Sequence, residues 1–207
     1  MGSIDSIFQD KKVIKKIQDK LPELFQLAEI ESSRAGKLGM EVGSVRERII
    51  IAMLKSVFGN KVVNTNIPIT EAETDVFLFN KPISIKTVTG KILNGVKLIW
   101  TVDPQKAFLF SKNYKPSCDI LLVQIYWNQK GNLYLIPKDV QIKILKKIGR
   151  EKYIKLPKQG TNPRGVELSK QALDALTKDS KTKRIEIDWN RSSSDFDIYQ
   201  KWVELWE

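Results

Sequence analysis

The spacing of apolar residues predicts helices in the first third of the chain. In Ser6–Glu31 apolar side chains recur every three or four positions, as on one face of a helix. Pro22 falls inside this stretch and is expected to begin a second short helix, because proline suits the first turn of a helix. A glycine-containing loop, Ser32–Gly43, precedes a further helix that is predicted to run from Ser44 to Phe58 and to end at Gly59.

The middle of the chain is rich in β-branched and aromatic residues, which are typical of strands. Strands are predicted at Lys61–Ile67, Thr74–Phe79, Ile83–Thr89, Leu98–Val102 and Cys118–Trp127, with a tight turn at Asn80–Pro82. Asp103 and Pro104 are placed to start a helix that ends near Asn113. Cys118–Trp127 is apolar nearly throughout, so this strand is expected to be buried on both faces.

Shorter elements follow. They are a strand at Leu133–Ile136, a helix at Lys138–Ile148, an extended Glu151–Leu156, a polar loop at Pro157–Gly165, a helix from Ser169 to about Lys178, a strand at Arg184–Ile187 and an amphipathic helix at Phe196–Trp206. The order helix-strand-strand-strand-helix-strand over about 44–127 predicts an α/β core with a central mixed sheet. We expect one domain over 1–207, with a helical region at 4–31 and added C-terminal elements at about 133–207.

Composition then restricts the chemistry. The chain has no histidine and a single cysteine, Cys118, which excludes His-dependent catalytic triads, His-based zinc sites and an internal disulfide. A reducing cytoplasm is therefore expected. No apolar run approaches the roughly 18 residues of a membrane span. The formal charge of +11 favours a polyanionic partner such as nucleic acid.

Three residues in the predicted core carry suitable chemistry. Asp75 opens one strand, Lys86 lies on the next, and Glu47 lies in the first turn of the preceding predicted helix. The three side chains can meet at one end of the sheet. Two carboxylates with a backbone carbonyl form a hard oxygen site suited to Mg²⁺, and an ammonium group beside it can stabilise developing negative charge.

Ordinary structural explanations compete with this interpretation of the three residues. Ser44 and Glu47 have the spacing of a capping box, in which Glu47 would only stabilise the helix start. Glu71 and Glu73 are neighbours that could take the place of Asp75. Lys86 is harder to explain, because it interrupts an apolar strand. Literal acid-x-Lys strings at Asp10–Lys12 and Asp179–Lys181 fall in predicted helix or loop.

This arrangement resembles the PD-(D/E)XK nuclease superfamily, whose core has the order αβββαβ. The resemblance implies that Asp75 matches the conserved Asp, Lys86 the Lys and Glu47 a helix-borne acid, with the Ile85 carbonyl as the backbone metal ligand. Ser84 occupies the place of the second acid, which departs from the family pattern.

Over the whole chain the sequence resembles type II restriction endonucleases of the ThaI type, in the segments GMEVGSVRERIIIAML, ETDVFLFNKPISIKT and PSCDILLVQIYW. The resemblance implies a Mg²⁺-dependent homodimer that cuts double-stranded DNA at CG/CG and leaves blunt ends. It also implies a cognate DNA methyltransferase in the same system.

Two segments are candidates for DNA contact. Met40 lies in a loop with Arg34 and Lys37, and is interpreted either as a wedge between base pairs or as a core residue. The loop Lys158–Gly165 presents the polar side chains of Lys158, Gln159, Asn162 and Arg164, and Arg164 suits guanine. Arg46 and Arg48 flank Glu47 and are candidates for phosphate contact. The basic stretch Lys138–Lys158 is either a phosphate-tracking surface or a solvated helix face.

Two rival functions stay open on the sequence. One is a structure-specific nuclease of the junction-resolvase kind on the same core. The other is a nucleic-acid-binding module without catalysis.

Overall fold

The computed structural model describes residues 2–34, 37–38, 41–68, 71, 73–157, 165–193, 197 and 199–206. The helices are α1 Lys11–Glu31, α2 Val42–Phe58, α3 Pro104–Asn113, α4 Lys138–Ile148, α5 Arg150–Tyr153, α6 Lys170–Thr177 and α7 Gln200–Trp206, with 3₁₀ turns at Ile4–Phe8 and Asn60–Val62. The strands are β1 Ser33–Arg34, β2 Lys37–Leu38, β3 Val63–Asn64, β4 Val76–Leu78, β5 Lys81–Thr89, β6 Val96–Ile99, β7 Asp119–Ile125, β8 Lys130–Ile136, β9 Ile154–Lys155, β10 Val166–Leu168 and β11 Lys183–Asp188.

The central sheet is mixed, as the sequence predicts. Its six strands lie in the order β11-β8-β7-β5-β4-β3, and β5 and β7 pair in parallel while the other neighbours are antiparallel. The connection from β5 to β7 contains α3, so α2, β3, β4, β5, α3 and β7 reproduce the predicted αβββαβ order. The same connection contains β6, which pairs with β10 in a second sheet of order β6-β10-β9.

The strand β7 is buried on both faces and separates two cores. Leu121, Val123 and Ile125 face one core, which contains apolar residues of α1 and α2. Ile120 and Leu122 face the other core, which contains residues of α4, α6 and the small sheet. Helices therefore cover both faces of the central sheet, and this explains the continuous apolarity of the β7 sequence. No helix in the described ranges is both long and apolar enough for a membrane span.

The prediction that Pro22 begins a second helix was wrong. Helix α1 is 21 residues long and runs through Pro22 without ending, although proline cannot donate the backbone hydrogen bond to the Gln18 carbonyl. Residues on both sides of the proline, including Ile17, Leu21 and Phe25, are buried in the same core. Packing of one continuous apolar face therefore outweighs the missing hydrogen bond.

Two segments after α4 also differ from the prediction. Glu151–Leu156 was expected to be extended throughout, but its start lies in α5, where the Tyr153 side chain is fully buried. Strand β10 was not predicted. It lies between β9, which is close in the chain, and β6, which is far away, so its pairing depends partly on a distant segment.

Candidate active site

The centre of the site is the carboxylate of Asp75. Its Oδ2 atom accepts hydrogen bonds from the Ile85 backbone N at 2.5 Å, the Lys86 Nζ at 3.0 Å and the Ser84 hydroxyl at 3.2 Å. Ser84 and Lys86 therefore point to the same face of β5, as strand alternation predicts. The Asp75 and Lys86 side chains are 19% and 16% exposed, so solvent reaches the pair only partly.

This carboxylate lies where one strand ends beside a longer one. The pairing of β4 with β5 ends at Val76 and Ile83, and Asp75 N donates to the Ile83 carbonyl just beyond it. Strand β5 continues for six residues past Ile83, to Thr89. Asp75 thus contacts the part of β5 that no longer pairs with β4.

Glu47 approaches this pair from α2. The helix begins at Val42, with Glu41 as its N-cap and no side-chain cap hydrogen bond, so Ser44 lies inside the helix. Ser44 and Glu47 are therefore not a capping box, and Glu47 is not in the first turn as predicted. Its side chain is half-buried, and burial together with the nearby Asp75 charge raises the pKa of Glu47.

Glu47 and Asp75 are two carboxylates within electrostatic reach of each other. Burial and repulsion from Asp75 raise the pKa of Glu47, while the positive charges of Lys86 and Arg48 lower it. Carboxylate oxygens are the type of ligand that a hard divalent cation prefers. Within the described residues, no group of three or more His, Cys, Asp or Glu side chains is arranged to hold a metal. The second acid of the PD-(D/E)XK pattern is missing, because Ser84 stands there with its hydroxyl bonded to Asp75.

The neighbouring acids have other partners. Glu73 accepts a hydrogen bond from the Ser117 hydroxyl at 2.5 Å, and Glu71 accepts one from Thr74. The two acid-x-Lys strings are structural: Asp10 caps α1, and Asp179 accepts from the Lys181 backbone N in a turn. Of the acids considered at this strand, Asp75 is the one that contacts Lys86.

Most predicted DNA contacts lie outside the described residues: Met40, Lys158, Gln159, Asn162 and Arg164. The backbones of Arg34 and Lys37 pair with each other in the short β1–β2 ladder that precedes α2. Met40 is in the segment between this ladder and α2, so it is close to Glu47 in sequence.

Arg46 was predicted to contact phosphate, and its placement argues against this. Its side chain is 5% exposed, and its guanidinium binds the buried Glu29 carboxylate at 2.5 Å. Glu29 was not recognised in the sequence. The signal was available, because Glu29 follows Phe25 by four positions and so lies on the buried face of α1.

The basic stretch Lys138–Lys158 shows the contacts of a solvated surface where it is described. Lys143 pairs with Asp179, and Lys155 pairs with Glu167, both with exposed ammonium groups. Arg150 instead donates to the Ser111 and Tyr114 carbonyls, and so binds the C-terminal end of α3.

Comparison with known proteins identifies the family. The family model described as "Restriction endonuclease ThaI" matches residues 7–207. A solved structure titled "Restriction endonuclease in complex with substrate DNA" is 54% identical, superposes with a TM-score of 0.92, and is covered over 98% of each chain. A search of curated proteins gives no match. On the family match over nearly its whole length, the chain belongs to the ThaI restriction endonuclease family.

Proposed function

We propose that this protein, a type II restriction endonuclease by its family, hydrolyses DNA phosphodiester bonds with Mg²⁺ at the Glu47–Asp75–Lys86 site. The observation that carries the proposal is the contact of Lys86 with Asp75 at 3.0 Å, beside a Glu47 carboxylate that responds to the charges of both. Family membership favours cutting at a sequence over cutting at a branched structure.

In this proposal Glu47, Asp75 and the Ile85 carbonyl hold the cation. When bound, Mg²⁺ supplies activation of water and neutralises charge on the phosphate. Lys86 orients the attacking water and stabilises negative charge on the phosphate oxygens. The water oxygen attacks phosphorus in line, the P–O3′ bond breaks, one proton of that water ends on the leaving 3′ oxygen, and the phosphate stays on the 5′ end. Ser84 and the Ile85 N–H hold the Asp75 carboxylate in place.

The proposed target is double-stranded DNA at CG/CG, cut to blunt ends. Arg34 and Lys37 are proposed to contact phosphates and Met40 to enter between base pairs. Lys158, Gln159, Asn162 and Arg164 are proposed to contact the DNA from the β9–β10 connection, with Arg164 contacting guanine. A palindromic target calls for a homodimer, because a two-fold axis relates both half-sites and both active sites. A cognate DNA methyltransferase in the same cytoplasm is expected to protect the host.

The direct test is cleavage of a plasmid that contains CGCG sites, in the presence of Mg²⁺. We expect discrete blunt-ended fragments from the wild-type protein. Asp75→Asn and Lys86→Ala are each expected to lower the rate by at least about 100-fold, since even outer-shell partners of metal ligands contribute 10–100-fold.

Glu73→Gln is the matched control for Asp75→Asn. It neutralises an acid two positions away whose carboxylate contacts Ser117 rather than Lys86, so cleavage is expected to continue at nearly the wild-type rate. No cleavage by the wild type with Mg²⁺ or Mn²⁺ would overturn the proposal. Loss of cleavage in Glu73→Gln with retention in Asp75→Asn would move the metal site to the neighbouring acid.

A further inference from the structure

A buried charge cluster includes Arg46, the residue next to Glu47 on α2. The Glu29 carboxylate is 3% exposed and accepts hydrogen bonds from two arginines and a tryptophan. Its Oε1 receives the Arg46 guanidinium at 2.5 Å and the Trp127 indole N–H at 2.9 Å. Its Oε2 receives Arg191 at 2.6 Å, and the Arg191 guanidinium lies over the Trp127 ring at 4.3 Å.

The cluster joins several elements around the site. Glu29 belongs to α1 and Arg46 to α2, while Trp127 follows β7 and Arg191 follows β11. Arg46 also directs its second terminal nitrogen to the Thr89 hydroxyl, at 3.4 Å. Thr89 ends β5, three residues after Lys86. A single guanidinium thus connects the helix that carries Glu47 to the strand that carries Lys86.

The N-cap residue of α2 makes no side-chain hydrogen bond to the helix, so the contacts of Arg46 with Glu29 and Thr89 are the side-chain anchors near this end that carry the inference. Arg46 and Glu47 are adjacent on the helix and point in different directions, one into the core and one to the site. If Arg46 lost its anion, a buried and uncompensated charge would remain, and the strong tendency of such a charge to reach water would pull this part of α2 outward. Glu47 would move with it.

Stability alone does not account for the cluster. Buried ion pairs are weak contributors to stability, since the cost of removing charges from water offsets their attraction. A hydrogen-bonded pair of buried charges does, however, fix the relative position of the two elements that carry it. We propose that Glu29 and Arg46 are positioning residues that hold Glu47 at its distance from Asp75 and Lys86, and so set the affinity of the site for its divalent cation. This inference rests on the proposed function of Glu47 and Asp75.

The test measures binding of Mn²⁺ to the protein alone, followed by the loss of the free-ion EPR signal. Glu29→Gln leaves Arg46 without its anion, and Arg46→Lys keeps the charge but cannot reach Glu29 and Thr89 together. Each variant is expected to weaken Mn²⁺ binding by about 10-fold, the lower end of the cost of losing an outer-shell partner. Arg191→Gln is the matched control. It removes the partner of the other Glu29 oxygen without touching α2, and Mn²⁺ affinity should stay within about 2-fold of the wild type.

A double-mutant cycle separates positioning from general destabilisation. In a Glu47→Gln background, adding Glu29→Gln is expected to weaken Mn²⁺ binding no further, because the group that it positions is already gone. Wild-type Mn²⁺ affinity in both Glu29→Gln and Arg46→Lys, whatever their melting temperatures, would overturn the inference. If Glu29→Gln does not fold, Arg46→Lys decides.

Duplex binding in EDTA distinguishes a direct DNA role for Arg46. Equal affinity of Arg46→Lys and wild type supports positioning, whereas a clear loss in Arg46→Lys would overturn it in favour of a phosphate contact. Failure of the proposed function itself gives a different pattern, in which Glu47→Gln and Asp75→Asn bind Mn²⁺ as well as the wild type does.

Discussion

The position of a helix end decides one of the two roles predicted for Glu47. The sequence predicted either a capping box or a metal ligand at this residue, and the capping role depends on where α2 begins. The helix begins at Val42, which leaves Ser44 inside it and removes the capping role. The Glu47 carboxylate instead lies half-buried in the field of Asp75 and Lys86.

This environment predicts an unusual pH dependence for Glu47→Gln. Because burial and Asp75 raise the pKa of Glu47 above its ordinary value of 4.5, the folded state favours the protonated form. At a pH below 4.5 Glu47 is protonated in both the folded and the unfolded state, and it costs the folded state nothing. As the pH rises through the raised pKa, the carboxylate ionises in its unfavourable folded environment, and the free energy of unfolding falls. In EDTA at pH 7, Glu47→Gln should therefore melt at a higher temperature than the wild type, and at about pH 4 the difference should vanish.

Thermal unfolding followed by circular dichroism is the measurement. Added Mg²⁺ should stabilise the wild type more than Glu47→Gln, since the proposed site would bind the cation in the folded state only. A lower melting temperature for Glu47→Gln at pH 7 in EDTA would contradict the raised pKa of this carboxylate.

A second residue-scale prediction concerns Gly131 in β8. A Cβ atom there would lie 2.2 Å from the Gln124 carbonyl oxygen and 2.6 Å from Nε1 of the fully buried Trp189. Gly131→Ala should therefore lower the free energy of unfolding by about 1–3 kcal/mol, as overpacking does. Gly43→Ala is the control, because a Cβ atom in this α2 position meets nothing within 4 Å, and it should stabilise by up to about 1 kcal/mol. Urea unfolding measures both, and equal effects would contradict the packing account.

At the scale of elements, the hairpin of β4 and β5 sets the site. Leu78 pairs with Lys81, so the turn consists of Phe79 and Asn80 alone, and both have positive φ angles of 51° and 61°. The sequence suggested a turn at Asn80–Pro82, but Lys81 and Pro82 belong to the strand. A two-residue turn with two positive φ angles fixes the strand register. That register places the side chains of Ser84 and Lys86 beside the Asp75 carboxylate, whereas Ile85 contacts it only through its backbone N–H.

Substitutions at Asn80 should reveal this constraint. Asn80→Val places a β-branched residue at a positive φ angle and should lower the free energy of unfolding by about 1–2 kcal/mol. Asn80→Gly accepts the same backbone conformation and should change it by less than about 1 kcal/mol. Denaturant unfolding with a cleavage assay on each variant makes the comparison. A Val variant as stable as the Gly variant would show that the turn does not impose the register.

At the scale of the whole molecule, the charge of +11 predicts salt-dependent DNA binding. The logarithm of the binding constant should fall with the logarithm of salt concentration by about 0.9 for each phosphate that is neutralised. If Arg164 contacts a phosphate, Arg164→Gln should reduce this slope by about 1. If Arg164 contacts only guanine, Arg164→Gln should weaken the preference for that base and leave the slope unchanged.

Lys146 and Lys147 provide the comparison for this slope. Both lie in the last turn of α4, where a positive charge stabilises the helix C-terminus by about 0.3–1 kcal/mol. Their replacement by Gln should lower stability slightly and leave the salt slope unchanged. The salt dependence is measured by fluorescence anisotropy on a CGCG duplex. A smaller slope in the variant that lacks both lysines would indicate that α4 contacts the DNA.

The sequence by itself determined the order of the core elements and the residue types of the site. Alternation in β5 and the apolar run of β7 predicted the strands, and their burial on both faces follows from helices that cover the sheet. The absence of histidine restricted the candidate catalytic residues to carboxylates and lysine, and the predicted core order brought Glu47, Asp75 and Lys86 forward as the candidates. Local spacing is sufficient for these conclusions, because periodicity records which side chains share a face.

Only the tertiary structure decided between residues with equal local signals. Asp75, Glu73 and Glu71 are close in sequence, and the pairing of β4 with β5 is what brings Asp75 to Lys86 while Glu73 faces Ser117. Arg46 and Arg48 flank Glu47 alike, yet Arg46 is buried because Glu29 of α1 lies opposite it across the helix interface. Strand β10 likewise exists because of β6 and β9. Each of these outcomes depends on a contact between two different segments, and such a contact leaves no periodicity within either segment.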